Sequence, residues 1–148
     1  MTKINLREIT ADTLRPFLRM KVNPEQDNFV APNSVSISQA YFNKNAWFRG
    51  IYLGDEPVGF VMMEINPAED VYYVWRYMIG ADHQRKGYGK TAMEIVIEFI
   101  RSTYPDAKKI TLSHVEGNAE GGGLYKDCGF DYTGEIDEGE QVMELLLK

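Results

Sequence analysis

The sequence predicts a mixed β-sheet with helices packed on it, of the α+β or α/β class. Three observations lead there. The apolar pattern gives strands and helices in the order β-α-α-β-β-β-α-β-α-β-β. Its period changes at Gly87, from a continuous apolar run to the stripe of an amphipathic helix. The chain is also 148 residues long, 44% apolar and 26% charged, values that fit one globular domain spanning residues 1–148.

Residues 4–9 read as a short strand. Asp12 can cap a helix whose stripe is Leu14, Phe17 and Leu18, with Pro16 in the first turn, where its missing N–H costs least. Residues 23–35 carry Pro24 and Pro32 and read as a loop. Ser36 and Gln39 have capping-box spacing and predict a helix to about Asn45. Residues 48–53 and 58–65 are strands joined by Gly54-Asp55-Glu56-Pro57, hence a hairpin. Residues 71–79, rich in Val, Tyr, Trp, Met and Ile, read as a central strand. From Gly87, Tyr88, Ala92, Ile95, Val96, Phe99 and Ile100 share one helix face, which ends near Tyr104-Pro105. Residues 110–115 form another strand. Residues 119–126 read as a helix made short, late or irregular by Gly121-Gly122-Gly123, since each interior glycine costs roughly 1 kcal/mol relative to Ala. Strands at 131–136 and 141–147 turn at Asp137-Glu138-Gly139-Glu140.

Composition narrows the function. A net charge of −6 argues against a general nucleic-acid binder and leans toward cationic small molecules. The single cysteine, Cys128, rules out an intrachain disulfide and suggests a reducing, cytoplasmic compartment. His83, His114 and Cys128 lack ligand spacing such as CxxC or HExxH, so no metal is expected. No apolar stretch approaches the ~20 residues of a membrane span, and residues 1–7 lack a signal-peptide core. No membrane partner is expected.

Chemistry concentrates in Gln84-Arg85-Lys86-Gly87-Tyr88-Gly89-Lys90, between an apolar strand and an amphipathic helix. Unpaired N–H groups and the dipole at a helix start favour an anion, and Gly87 and Gly89 let backbone approach it. Arg85, Lys86 and Lys90 add positive charge, so a phosphate or pyrophosphate is the ligand suggested. A P-loop needs glycine at position 84, which is Gln. A dinucleotide fingerprint matches Gly87 to Ala92 literally but requires a turn directly off the strand, and the polar residues 81–86 intervene. A plain glycine-containing helix start with a solvated basic rim also fits.

The same segment fits Q/R-x-x-G-x-G/A at every fixed position, and so resembles the pyrophosphate loop of the GNAT superfamily of N-acetyltransferases. Asn118, followed by Leu124-Tyr125-Lys126-Asp127-Cys128-Gly129-Phe130, resembles that family's N-x(5)-LYxKxGF block, although Asp127 stands where a basic residue is frequent. The resemblance implies a mixed, mainly antiparallel sheet whose parallel fourth and fifth strands splay apart around acetyl-CoA. It implies backbone contacts from Tyr77, Met78 and Ile79 to the pantetheine arm, and pyrophosphate contacts from Gln84, Arg85, Lys86, Gly87, Tyr88, Gly89 and Lys90. Asn118 would touch the cofactor's arm, and Tyr125 would protonate the departing thiolate. Some members carry an acidic base in the fourth strand, but Val74-Trp75-Arg76 has none. Glu64 and Glu116 are candidates instead, and His114 suits the role by its ordinary pKa.

Within the family, residues 26–32 (QDNFVAP), 36–41, Gly59-Phe60, Arg76 and the 134–142 hairpin resemble bacterial spermine/spermidine acetyltransferases. A polyamine pocket would combine carboxylates with aromatic faces. Glu25, Asp27, Phe29, Tyr41, Glu64, Tyr72, Tyr73, Trp75, Glu116 and Asp137 are available for one. Other amines (aminoglycoside, amino acid, peptide), a non-catalytic acyl-CoA-binding module and a nicotinamide-dependent oxidoreductase stay open. Homodimerisation through the C-terminal strand is a further expectation.

Overall fold

The computed structural model describes residues 3–22, 24, 31–115 and 119–148, with the side chains of 119–121 excepted. Glu25, Asp27, Phe29, Glu116 and Asn118, and residues 26–30 of the QDNFVAP segment, lie outside the described residues.

Seven strands form one sheet: β1 (Ile4–Arg7), β2 (Ala46–Leu53), β3 (Glu56–Asn66), β4 (Val71–Ile79), β5 (Lys109–Val115), β6 (Asp131–Asp137) and β7 (Glu140–Leu146). Their spatial order is β1-β2-β3-β4-β5-β7-β6. Every neighbouring pair but one is antiparallel, three of them (β2–β3, β3–β4 and β6–β7) joining consecutive strands with no α-helix between. The exception is β4 with β5, whose connection runs through a long helix and so permits parallel pairing. The helices are α1 (Arg15–Arg19), α2 (Asn33–Tyr41), α3 (Tyr88–Thr103) and α4 (Ala119–Asp127).

The sheet buries both faces. Against one lies α3, with Ala92, Met93, Val96, Ile97 and Ile100 buried on Ile51, Val61, Met63, Val74, Ile110 and Leu112. Against the other, Phe60, Met62 and Met78 make a smaller cluster with Met20 after α1 and with Ile37 and Ala40 of α2. Strand residues alternate between the two. The stripe read from the sequence passes over Met93 and Ile97, which the structure buries at the centre of the helix face, while Ile95 and Phe99 lie at its half-exposed margin.

Three local expectations are corrected. Asp12 caps nothing: α1 begins after Leu14 without a side-chain cap, and the preceding turn is closed by Thr13 Oγ1 accepting the Thr10 N–H at 2.8 Å. The Ser36–Gln39 pair is not a capping box. α2 begins at Asn33 after Pro32 and ends at Tyr41, which places Ser36 in its interior, buried, while Gln39 Oε1 accepts a hydrogen bond from Arg76. The glycines do not delay α4, which begins ahead of them at Ala119.

β4 and β5 stay paired only at Tyr73–Thr111 and Val74–Leu112, although β5 continues to Val115 and β4 to Ile79. On the other side of β4 the register slips, with Met63 opposite Val74 and Met62 opposite Arg76. Trp75 is therefore the extra residue of a bulge, which bends its strand where the two part. A gap in the sheet results, bounded by the last turn of β4, the end of β5 and the start of α3.

Candidate active site

Along one wall of the gap, backbone groups of β4 turn away from β3. Gly80 N–H donates to the Val58 carbonyl at 2.8 Å, so Gly59 and Ile79 form a non-hydrogen-bonded pair. The N–H and C=O of Ile79 therefore turn away from β3, toward the gap, and two residues back those of Tyr77 do the same. Met78 directs its polar backbone groups at β3, and its side chain lies in the cluster on the α2 face. Gln84 reaches back with its amide Nε2 to the Ile79 carbonyl at 2.8 Å and ties the following loop to the strand.

The loop ends in a helix start whose geometry suits an anion. Arg85 and Gly87 both take left-handed backbone conformations, with φ of 62° and 83°. Gly87 adopts its own without the strain a Cβ would bring. α3 has no side-chain cap; its first helical bond runs from Thr91 N–H to the Gly87 carbonyl at 3.2 Å, supported by Thr91 Oγ1 at 3.1 Å. The amides of Tyr88, Gly89 and Lys90 thus meet no acceptor among the described residues. Together with the dipole of a four-turn helix they can hold a phosphate group. The Lys86 ammonium stays at the loop, 3.4 Å from the Asp82 carbonyl. Residues 80–87 separate this helix from β4, which is not the tight strand-to-helix turn of a dinucleotide fingerprint.

Tyr125 closes the gap from α4. Its ring centroid lies 6.4 Å from that of Tyr77, 6.3 Å from His114 and 6.1 Å from Phe130. The Tyr77 hydroxyl donates to the Gly89 carbonyl and locks β4 to the first turn of α3. Burial, reinforced by Cys128 and Tyr73, holds the Tyr125 hydroxyl above the ordinary phenol range, so it carries its proton at neutral pH. Burial likewise raises Tyr77. Cys128, with Sγ 3.9 Å from the Lys90 carbonyl, is pushed up to about 11 by burial and by Glu94. It is therefore a thiol, not a thiolate, under physiological conditions.

His114 is buried and spoken for: Nδ1 lies 3.0 Å from the Val115 carbonyl and Nε2 2.9 Å from the Tyr132 hydroxyl. Gly122 of α4 packs on this pair so closely that a Cβ there would fall 2.5 Å from Tyr132 Oη. Close approach, not flexibility, is what this glycine of the run provides.

The opposite face of the gap is polar and aromatic. Tyr73 Oη lies 2.8 Å from Ser113 Oγ, and Ser113 Oγ donates to Glu140 Oε1 at 3.2 Å. Glu64 faces Tyr73 across the β3–β4 ladder on this same side. Arg76 donates to Gln39 Oε1 at 3.1 Å, its guanidinium 5.6 Å from the Trp75 ring. A groove of about 630 Å³ runs along α2, lined by Ser34, Val35, Ser38, Gln39, Phe42 and Trp75. The fold thus brings Tyr77, Ile79, Gln84, Gly89, Lys90 and Tyr125 to one side of the gap and Glu64 to the other. Sequence reading missed Ser113 and Glu140. Strand alternation put them on one face of β5 and β7, but their contact depends on a pairing that no local motif announces.

Residues 8–130 match the model of the acetyltransferase (GNAT) family. Spermine/spermidine N(1)-acetyltransferase of Bacillus subtilis (strain 168) is 31% identical over 150 residues, covering 95% of this chain and 96% of that protein. A solved domain from Methanocaldococcus jannaschii superposes with a TM-score of 0.81 at 22% identity, covering 99% of this chain and 100% of that one. Spermidine N-acetyltransferase from Vibrio cholerae, solved with CoA and spermine, gives 0.77 at 20% identity, covering 97% and 95%.

Proposed function

The chain belongs to the GNAT acetyltransferase family, and from that membership we propose that it moves an acetyl group from acetyl-CoA to a primary amine of a polyamine such as spermine or spermidine, by direct attack in a ternary complex. It is an acetyl-CoA-dependent enzyme. The acceptor is the inference, and the end-to-end likeness to the Bacillus enzyme carries it.

The residues present fit the donor. Outward amides at Tyr88, Gly89 and Lys90, with Gln84, Arg85, Lys86 and Gly87 shaping the loop, suit its pyrophosphate. The backbone groups of Tyr77 and the N–H of Ile79, which turn away from β3, suit the amides of its pantetheine arm. When bound, acetyl-CoA supplies an activated acetyl group and a sulfur leaving group. Tyr125, protonated because it is buried, holds the proton that such a sulfur needs on departure. Glu64, Glu140, Tyr73 and Trp75 furnish the acceptor side with negative charge and aromatic surface, a lining that attracts ammonium groups. Glu116 stays a base candidate, and Asn118 the cofactor contact that the resemblance implies; both lie outside the described residues.

Two finer expectations accompany this reading. The lone thiol suits a reducing cytoplasm, and no described helix is long and apolar enough to cross a membrane. The C-terminal strand β7, expected to carry a dimer contact, is instead paired on both sides by β5 and β6; a dimer contact at this end of the sheet would fall on the edge strand β6, all seven of whose residues are exposed.

A panel of spermine, spermidine, an aminoglycoside and a lysine-containing peptide, followed by release of free CoA, tests the acceptor. Expected is a kcat/KM for a polyamine at least roughly tenfold above the others, a gap of about 1.4 kcal/mol in transition-state binding. Turnover of the peptide with the polyamines idle would overturn the acceptor.

A further inference from the structure

An amine acceptor arrives as an ammonium ion at neutral pH and attacks only after losing a proton. Among the described residues, the cofactor side of the gap offers no group for that task, since Tyr125 is protonated, Cys128 is a thiol and both nitrogens of His114 are engaged. The other side holds a connected chain whose direction is fixed by proton counting. Ser113 has one hydroxyl proton, and Glu140, as a carboxylate, only accepts. Ser113 therefore gives its proton to Glu140 (3.2 Å), and the 2.8 Å contact must run from the Tyr73 hydroxyl to Ser113. The lone pairs of Tyr73 Oη are left free to accept from outside.

The chain also stands in the right place. Tyr73 is in the first paired position of β4 and β5, and Ser113 is the first residue of β5 beyond the last, Leu112, so the bond between them bridges the point where the strands part. Glu140 opens β7, opposite Val115 at the end of β5. We propose that Tyr73, Ser113 and Glu140 form a proton relay that deprotonates the acceptor amine, with Tyr73 Oη meeting the ammonium group and Glu140 as the terminal base. The N–H bond of the ammonium breaks and leaves its electron pair on nitrogen. Its proton goes to Tyr73 Oη as that hydroxyl's own proton passes to Ser113 Oγ and Ser113's to Glu140. The balance is one N–H bond broken and one carboxyl O–H bond formed, with no tyrosinate or alkoxide left behind. Tyr73 is also within electrostatic reach of Tyr125, so donor and acceptor of protons flank the same gap.

The charges around the relay are mixed. Arg76 of β4 is within reach of both Tyr73 and Glu140. Glu64 of β3 stands across from Tyr73, and Asp137 of β6 across from Glu140. Further along β7, Glu144 is engaged by Lys109 of β5 at 3.5 Å.

The relay rests on the reading of this chain as a polyamine acetyltransferase, and its test is the pH profile of spermidine acetylation by wild type, E140Q, S113A and Y73F. Loss of a general base should lower kcat/KM at pH 7 about 100-fold in E140Q and S113A. The deficit should close by roughly tenfold per pH unit toward pH 10, as free amine replaces ammonium. Acetyl-CoA affinity by calorimetry and the melting temperature should stay at the wild-type values. A merely structural role would depress the rate equally at every pH, so parallel profiles, or unchanged rates, overturn the relay alone. The three variants sit on three strands, so one that fails to fold leaves two to decide. A wild type that acetylates no polyamine overturns the acceptor reading, and the relay with it.

Discussion

A single hydroxyl carries most of the proposed chemistry on the cofactor side. Tyr125 lies between Tyr77 and Phe130, and its hydroxyl makes no hydrogen bond among the described residues. A half-buried phenol kept protonated can donate. Tyr125→Phe removes that proton and little else, because the ring and its contacts remain. Turnover should fall about 100-fold while the dissociation constant for acetyl-CoA stays within about twofold, the pattern of an interaction made only in the transition state. Stopped-flow rates beside calorimetric titration read both quantities. Equal turnover in the two proteins would remove Tyr125 as the acid. The candidacy of this tyrosine was legible because it falls inside a local block, Leu124 to Phe130. Glu140 was not, because its partner Ser113 lies 27 positions away in the chain.

At the level of elements, the sequence showed where strands and helices lie better than how they begin. β4 and α3 have the spans that their apolar runs indicate, since long periodic segments average over individual residues. Starts depend on single side chains with competing partners. Ser36 and Gln39 had the spacing of a cap, but Pro32 already halts the chain ahead of Asn33, and Gln39 is drawn to Arg76. The glycine run misled in the same way, because propensity alone reads it as weakness. In the fold, α4 rests on the His114–Tyr132 pair, and only glycine at 122 leaves room for the Tyr132 hydroxyl. Gly122→Ala should therefore destabilise the protein by about 1 kcal/mol, as crowding exceeds the gain in helix propensity. In a Tyr132→Phe background the obstructing oxygen is gone, and the same substitution should be neutral or stabilising. Chemical denaturation of the four proteins of this cycle measures the coupling. A Gly122→Ala cost that is the same in both backgrounds would show that the close approach is unimportant.

For the molecule as a whole, the sheet acts as a partition that opens where β4 and β5 part. α3 and α4 bring the outward amides and Tyr125 to one side, while Tyr73, Ser113, Glu140 and Glu64 stand on the other. Two reactants approaching from opposite faces can be bound together, and neither must leave before the other enters. The alternative, an acetyl group parked on the protein, needs a nucleophile. The chain has one cysteine, and its thiol, pushed up to about 11, ionises at pH 7 to roughly one part in ten thousand. Initial rates with both substrates varied should give intersecting double-reciprocal lines, and Cys128→Ala should keep kcat within about twofold of wild type, since the group removed is only a half-buried side chain. Intact-mass measurement after acetyl-CoA is added without an amine should show no stable gain of an acetyl group. Parallel lines together with acetylated Cys128 would mean that the opening in the sheet serves one substrate at a time.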